Sequence, residues 1–413
     1  MDRIYTLITV LFFLIIWMMP AQLTAQSSSN YELIPAPDLW YNDADGIRVG
    51  VRVKGQVPGT FEDGPHRLDA GVWLSTWFPD LPVSYYASYT NPIQQWSDFG
   101  SEASYQLITS VRAGYHRHGV ALNKRWQEGF DERRYRELSL FNSYEKRFDD
   151  EYAAFPVLWS DQGKLKSSLS AELKNDNSLG WYKLDASWGV QLLNDFYTQF
   201  TGSFSQNVQF HKYWGLNVRL FTGMASVNSA PEYLFSRSSA PAMNTVYNGV
   251  TRAKGTIPQP WMESGKFQIA GGANLRGYTA QDVDTFLSSS SEQNAIVAPF
   301  LLNSIASVNA EFDYFNPIAL GFNRIPYVSE FLSFRSYLFF DAGRSLELID
   351  NEPDNLFADA GAGFSLSLNI PDYLGKSRGF VFKYELPFWL SEPGMQDNFK
   401  IRHLFSFGAV ITL

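Results

Sequence analysis

Arg276 has the most chemistry to offer in this chain. It stands in the stretch Gly271 to Val283, where Gly271, Gly272 and Leu275 precede it and Gly277 and Tyr278 follow. A guanidinium presents a planar fork of donors that can engage two carboxylates at once. Gly277 permits a tight or positive-φ backbone at a loop tip. Two later segments offer carboxylates: Glu311 in Ala310-Glu311-Phe312, and Asp341 in Phe339-Phe340-Asp341-Ala342-Gly343. Such a set supports a charge-assisted clamp rather than bond-making catalysis. The residues alone leave two readings open: a clamp, or an ordinary surface tripeptide beside carboxylates solvated by water.

Catalytic constellations are thin. His66, His116, His118, His211 and His403 are scattered, and no Ser stands in a GxSxG elbow. There is no Cys, which excludes disulfides and thiolate metal sites. His116 and His118 are expected at a turn between His116 and Gly119, as exposed polar residues rather than metal ligands. Asp149-Asp150-Glu151 reads as a solvated turn. Arg133-Arg134-Tyr135-Arg136 reads as an aqueous strand end, with contact to anionic lipopolysaccharide as its functional alternative. A net charge of −9 argues against nucleic acid as a partner. No cofactor and no metal are expected, and no enzyme acting alone.

The elements that must position Arg276 are strands. Most of the chain alternates with period two. Tyr182, Leu184, Ala186, Trp188, Val190 and Leu192 share one face, and Lys183, Asp185, Ser187, Gly189 and Gln191 the other. Aromatics reach 16% over 413 residues, which suits anchoring at two membrane–water interfaces. The alternation predicts strands at 46–56, 66–77, 82–91, 103–114, 117–127, 134–146, 151–160, 164–175, 181–193, 196–210 and 214–225. After a long loop at about 227–302, it predicts strands at 303–315, 332–343, 358–369, 378–388 and 400–413. Pro156 makes 151–160 the weakest of these. Other turns are expected at Pro79 to Pro82 and Asn175 to Gly180. Charged polar faces and long runs favour a wet lumen over a soluble sandwich. A charge on the lipid face near midplane costs several kcal/mol, so Glu311 should face inward, as should Arg335, Tyr337, Phe339 and Asp341. The expected fold is all-β: a sixteen-stranded antiparallel transmembrane barrel over 46–413, and a resemblance to a known family of barrels implies that its long sixth surface loop is folded into the lumen.

The N-terminus reads as a cleaved export signal over 1–25. Ile4 to Met19 is apolar, Arg3 precedes it, and Leu23-Thr24-Ala25 offers a cleavage site. Residues 26–45 then form a short periplasmic lead-in.

Leu275-Arg276-Gly277-Tyr278, preceded by Gly271-Gly272 and followed by Glu311 and by the segment from Phe339 to Gly343, resembles the barrel of the BamA-like outer-membrane assembly superfamily, also called the bacterial surface antigen family. The terminal strand, with Phe405, Phe407, Ala409, Ile411 and Leu413 on one face, resembles the recognition strand of outer-membrane barrels, although Leu413 stands where Phe or Trp is usual. The resemblance covers roughly Tyr41 to Leu413. It implies that the tip enters the lumen, that Glu311 and Asp341 hold Arg276, that Tyr278 wedges against the wall, and that Phe339 and Gly343 support the conformation. It also implies assistance in outer-membrane protein assembly or substrate translocation. Residues 26–45 leave no room for the POTRA domains of assembly factors, so the chain is expected to be a nearly bare barrel. The alternatives are an anchor or scaffold for a separate periplasmic or surface partner, and a passive pore. The expected surroundings are outer-membrane lipid and lipopolysaccharide, with a client polypeptide as the candidate partner.

Overall fold

The alternating runs pair with their neighbours in sequence, as short connections between antiparallel strands require. The computed structural model describes residues 31–42, 46–56, 67–77, 83–112, 114–127, 134–150, 153, 156–211, 214–247, 264–279, 301–323, 331–346, 356–371, 377–394 and 397–410. Among the described residues, seventeen strands form one sheet. The first eight are β1 (Glu32–Asn42), β2 (Gly46–Gln56), β3 (Arg67–Ser75), β4 (Val83–Pro92), β5 (Ser101–Arg112), β6 (Tyr115–Gln127), β7 (Tyr135–Arg147) and β8 (Lys164–Asn177). β9 (Gly180–Gln191), β10 (Tyr197–His211) and β11 (Trp214–Ala225) lead into the long loop. Within that loop lies the two-residue β12 (Phe267–Gln268). β13 (Ser304–Asp313), β14 (Leu332–Ser345), β15 (Phe357–Pro371), β16 (Ser377–Leu390) and β17 (Leu404–Val410) follow. Apart from β12, each strand pairs antiparallel with the next, and β11 passes directly to β13.

The two faces of the sheet are inverted relative to a soluble protein. Along β14, Tyr337 and Asp341 are fully buried, while Leu338 and Phe340 between them are 49% and 46% exposed. On β2, Ile47, Val49 and Val51 are exposed and Arg48 is buried. Exposed apolar side chains recur on β6, β7, β9 and β11 as Leu122, Leu138, Leu184 and Leu220. Buried polar ones recur as Thr109, Glu145, Lys164, Gln191, Asn309, Asp359 and Glu385. Because strand side chains alternate strictly, one apolar face must look outward and one polar face inward. Exposed aromatics stand at both rims, Tyr41 and Trp77 at one and Trp181, Phe210 and Trp214 at the other, as well as along the strands. Tyr41 and Trp77 meet edge to face at 5.9 Å. The long loop touches both β7–β8 and β13–β16 through buried side chains.

Several expectations are corrected. The lead-in at 26–45 includes a strand, β1, and the sheet begins there rather than at residue 46. Pro35 and Pro37 hide it in the sequence, yet prolines are compatible with an edge strand. Among the described residues of the run 151–160, none is in a strand, and 156–159 form turns. Pro156 denies the ladder a donor, and the segment serves as the β7–β8 connection. His116 and His118 lie within β6, half-buried, rather than at a turn. The chain reverses earlier, at Gly114, whose φ of 72° suits glycine. Thr109 Oγ1 and His118 Nδ1 lie 2.7 Å apart. The residues from 227 to 302 are also not without regular structure, since they carry β12 and short helical turns at Pro231–Tyr233, Met243–Tyr247 and Arg276–Tyr278. The signal segment 1–25, residues 78–82, Arg133, the stretch Ala280–Val283, and Ile411 and Leu413 lie outside the described residues.

Candidate functional site: a loop clamped to the polar face

The site is built from the polar face of four consecutive strands. Asn309 and Glu311 on β13, Tyr337, Phe339 and Asp341 on β14, Asp359 on β15 and Glu385 on β16 project to the same side. The loop brings Arg276 down onto them. Its Nε donates to Asp341 Oδ2 at 2.7 Å and its Nη2 to Asp341 Oδ1 at 2.9 Å, a two-toothed pair. Its Nη1 reaches Glu311 at 3.0 Å and Glu385 at 2.7 Å. The guanidinium carbon sits 4.0 Å from the centroid of the Phe339 ring. A buried cation that is this fully bonded keeps its charge without water.

The carboxylates are held in turn. Asn309 Nδ2 donates to Asp341 at 3.0 Å, and Tyr337 OH donates to Glu385 at 2.6 Å. Arg335 Nη1 and Lys383 Nζ lie 2.8 and 3.4 Å from Glu311. These bonds hold each acceptor through partners other than the loop. Asp359 is fully buried in register with Asp341, and neither of its carboxylate oxygens has a hydrogen-bond partner of normal geometry.

The rest of the tip is fitted to the wall. Tyr278 is fully buried between Leu275 and Leu390, edge-on to Phe357 at 5.2 Å, and its OH lies 3.2 Å from the Ala358 carbonyl. Gly277 is required by closeness rather than by backbone sign: a Cβ there would lie 2.1 Å from Leu390 Cδ2 and 2.8 Å from Asp359 Cβ. Leu275 packs toward Gly343, where a Cβ would stand 3.2 Å from its Cδ2. Gly272 gives its carbonyl to Arg219 Nη1 at 2.8 Å, and Gly271 sits beside Ala240 at the turn into this segment. Arg276, Glu311, Asp341, Phe339 and Tyr278, all visible in the sequence, therefore meet in one cluster.

Two features escaped the sequence reading. One is Glu385 as a third acceptor. Its signal is the inward pair Lys383 and Glu385 within the strand predicted at 378–388. The other is a second anchor on the opposite flank. The loop's Glu232, fully buried, is ion-paired with Lys164 Nζ of β8 at 2.9 Å. The hydroxyls of Tyr233 and Tyr247 both bond Glu145 of β7, Tyr233 at 3.3 Å. Arg117 of β6 pairs with the same carboxylate at 3.2 Å. Nothing in the local sequence joins residues 145 and 247. Between this anchor and the β7–β11 wall remains a polar cavity of about 710 Å³, with Lys166, Glu172, Lys183 and Asp185 on its lining.

Among the described residues no group of His, Cys, Asp and Glu is arranged to hold a metal ion. The contacts fix the long loop at two points on the polar face.

No family model matches the chain, and no curated protein matches it. Among solved structures it is similar to BamA from Haemophilus ducreyi lacking POTRA domains 1-3, at 15% identity and a TM-score of 0.48, covering 93% of this chain and 70% of that one. It is also similar to CdiB from Escherichia coli, at 10% identity and a TM-score of 0.42, covering 94% and 64%. The likeness to OccK3 (OpdO) from Pseudomonas aeruginosa is weaker, at 12% identity and a TM-score of 0.27, covering 92% and 94%. Likeness at these values carries no argument of its own. The functional reading rests on strand polarity and on the contacts of the loop.

Proposed function

We propose that the chain is an integral outer-membrane β-barrel of the BamA-like kind, exported by its N-terminal signal, which assists outer-membrane protein assembly or substrate translocation. The observation that carries this reading is the Arg276 tip, bonded to carboxylates from three strands on the inward face of an inside-out sheet. A lipid-facing sheet needs its ends closed, because unpaired backbone groups in hydrocarbon are costly. Closure around the loop puts the tip in the lumen. A second anchor at Glu145 and Lys164 fastens the same loop across the interior, which weighs against a passive pore.

A loop clamped this strongly is a device for holding a conformation. Opening it requires breaking a buried, fully bonded ion cluster, so the barrel rests in one state until a partner supplies the difference. A client polypeptide entering at the seam is such a partner. Lipid and lipopolysaccharide contact the outer face.

The test is insertion of an unfolded outer-membrane barrel client into liposomes that hold the purified protein. Acceleration over empty liposomes, abolished by crosslinking the first and last strands through introduced cysteines, is the expected result. Full activity of the crosslinked protein removes lateral opening as the mechanism. High steady conductance in planar bilayers with no client insertion returns the passive pore. A soluble partner recovered in fixed stoichiometry, again without client insertion, returns the anchor.

A further inference from the structure

The two ends of the meander are treated unequally by the chain. On β17, the N–H of Phe405 donates to the carbonyl of Lys266 at 2.7 Å, and β12 pairs parallel with it, Phe267 against Phe405 and Gln268 against Ser406. The long loop thus occupies the outer edge of β17 at the rim from which it emerges. Among the described residues no ladder joins β1 to β17.

The edge of β1 is blunted by a different means. Thr76 N–H donates to Ile47 O across β2–β3, so the odd-numbered residues of β2 bond β3 and the even-numbered ones bond β1. The β1–β2 register pairs even with even, and Pro35 and Pro37 fall opposite Val53 and Val51. The odd-numbered residues of β1 therefore turn their backbone groups to the outer edge. They are Leu33, Pro35, Pro37, Leu39 and Tyr41, and two of these five have no N–H to give. An edge short of donors is a poor template for another strand.

The loop segment that covers β17 is mechanically tied to the Arg276 clamp. Gln268 Nε2 donates to Ser238 O at 2.6 Å, Ala240 N to Ile269 O at 3.0 Å, and Leu275 N to Arg237 O at 2.9 Å. One short stretch, 237–240, thus holds both β12 and the residue next to Arg276.

We propose that the long loop is a strand latch. β12 closes the rim end of the β17 edge, Pro35 and Pro37 withhold the facing edge of β1, and the Arg276 clamp governs access to the seam. β17, rather than β1, is then the end strand able to accept an added strand, and it can do so only once β12 has left. The latch stands apart from the proposed function; its consequence for client entry rests on that reading.

The absence of Cys makes the test clean. Ser406→Cys places a thiol at a buried position beside β12, and Ser104→Cys on β5 is a control of equal exposure, both residues being 8% exposed. Labelling by a water-soluble maleimide is timed in the intact folded protein. With Arg276→Ala added, the rate at position 406 is expected to rise at least tenfold while that at position 104 stays the same. An unchanged rate at 406 overturns the proposal, whether or not the tip itself is freed. Pro35→Ala with Pro37→Ala restores the missing donors and is expected to raise the temperature of the heat-induced gel shift by several degrees. No rise shows that the β1 edge does not limit the seam, which overturns that half. Finally, Gln268→Cys with Ser406→Cys is oxidised to lock the latch. Loss of client insertion on oxidation and its return on reduction are expected. Full insertion by the locked form, with labelling as expected, upholds the latch and removes β17 as the point of client entry.

Discussion

Replacing Arg276 by Ala should free the loop tip without unfolding the sheet. The guanidinium makes four charge-assisted bonds to three carboxylates, two to Asp341 and one each to Glu311 and Glu385. Taken singly, bonds of this kind are worth about 1.5–3 kcal/mol each. The sum overstates the effect, because a released arginine regains water. Breaking a buried ion pair by deleting one partner costs about 3–5 kcal/mol, and that is the better guide. The carboxylates left behind also repel one another, with Arg335 and Lys383 near only Glu311. At about 1.4 kcal/mol per factor of ten, the tip should open roughly 10²- to 10⁴-fold more often. Amide hydrogen exchange over residues 271–279 reads this directly, because exchange there reports local opening. The heat-modifiable gel shift checks that the sheet is intact. Arg276→Lys keeps the charge but not the fork, so its loss should fall between wild type and Ala. A change below tenfold for Arg276→Ala, in protein that is still folded, would refute the claim that this cluster holds the loop.

Three further expectations follow from the same geometry. Gly277→Ala drives a methyl into Leu390 and Asp359 and should cost about 1–3 kcal/mol, read as faster exchange at the tip, with Leu390→Ala giving partial relief. Asp359→Asn removes a buried acid that stands in register with Asp341 and crowds the cluster, so it should slow exchange at residues 276–279; faster exchange would mean that Asp359 helps hold Arg276. Leu338→Arg puts a charge on the outward face of β14 and should cost about 2–4 kcal/mol of folding stability in a bilayer, whereas Leu338→Phe should be nearly neutral; equal urea midpoints for the two would argue that this face does not meet lipid.

Much of this molecule is legible because strand geometry is local. Successive side chains must point to opposite faces, so Leu338 and Phe340 against Tyr337, Phe339 and Asp341 declare both faces of β14 before any partner is known. Arg276 and its glycine neighbours are equally visible, as are Glu311 and Asp341 on inward positions. What failed locally failed where local rules compete. Pro35 and Pro37 concealed β1, because a proline is hostile to a strand interior and harmless on an edge whose donors point away from the ladder. Pro156 sat in a run with strand-like neighbours that closes a connection instead.

Period and polarity were thus written in the chain alone: which residues lie on the exposed apolar face, which on the buried polar face, and which loop carries the cation. The sharing of that cation was not. Glu385 lies 109 residues beyond Arg276, and Glu145 lies 102 residues before Tyr247. Only the register of the paired strands and the path of the loop set these groups within bonding distance. Alternation specifies a direction for each side chain; a partner across the interior depends on how the whole sheet is curved and sheared, which no local segment encodes.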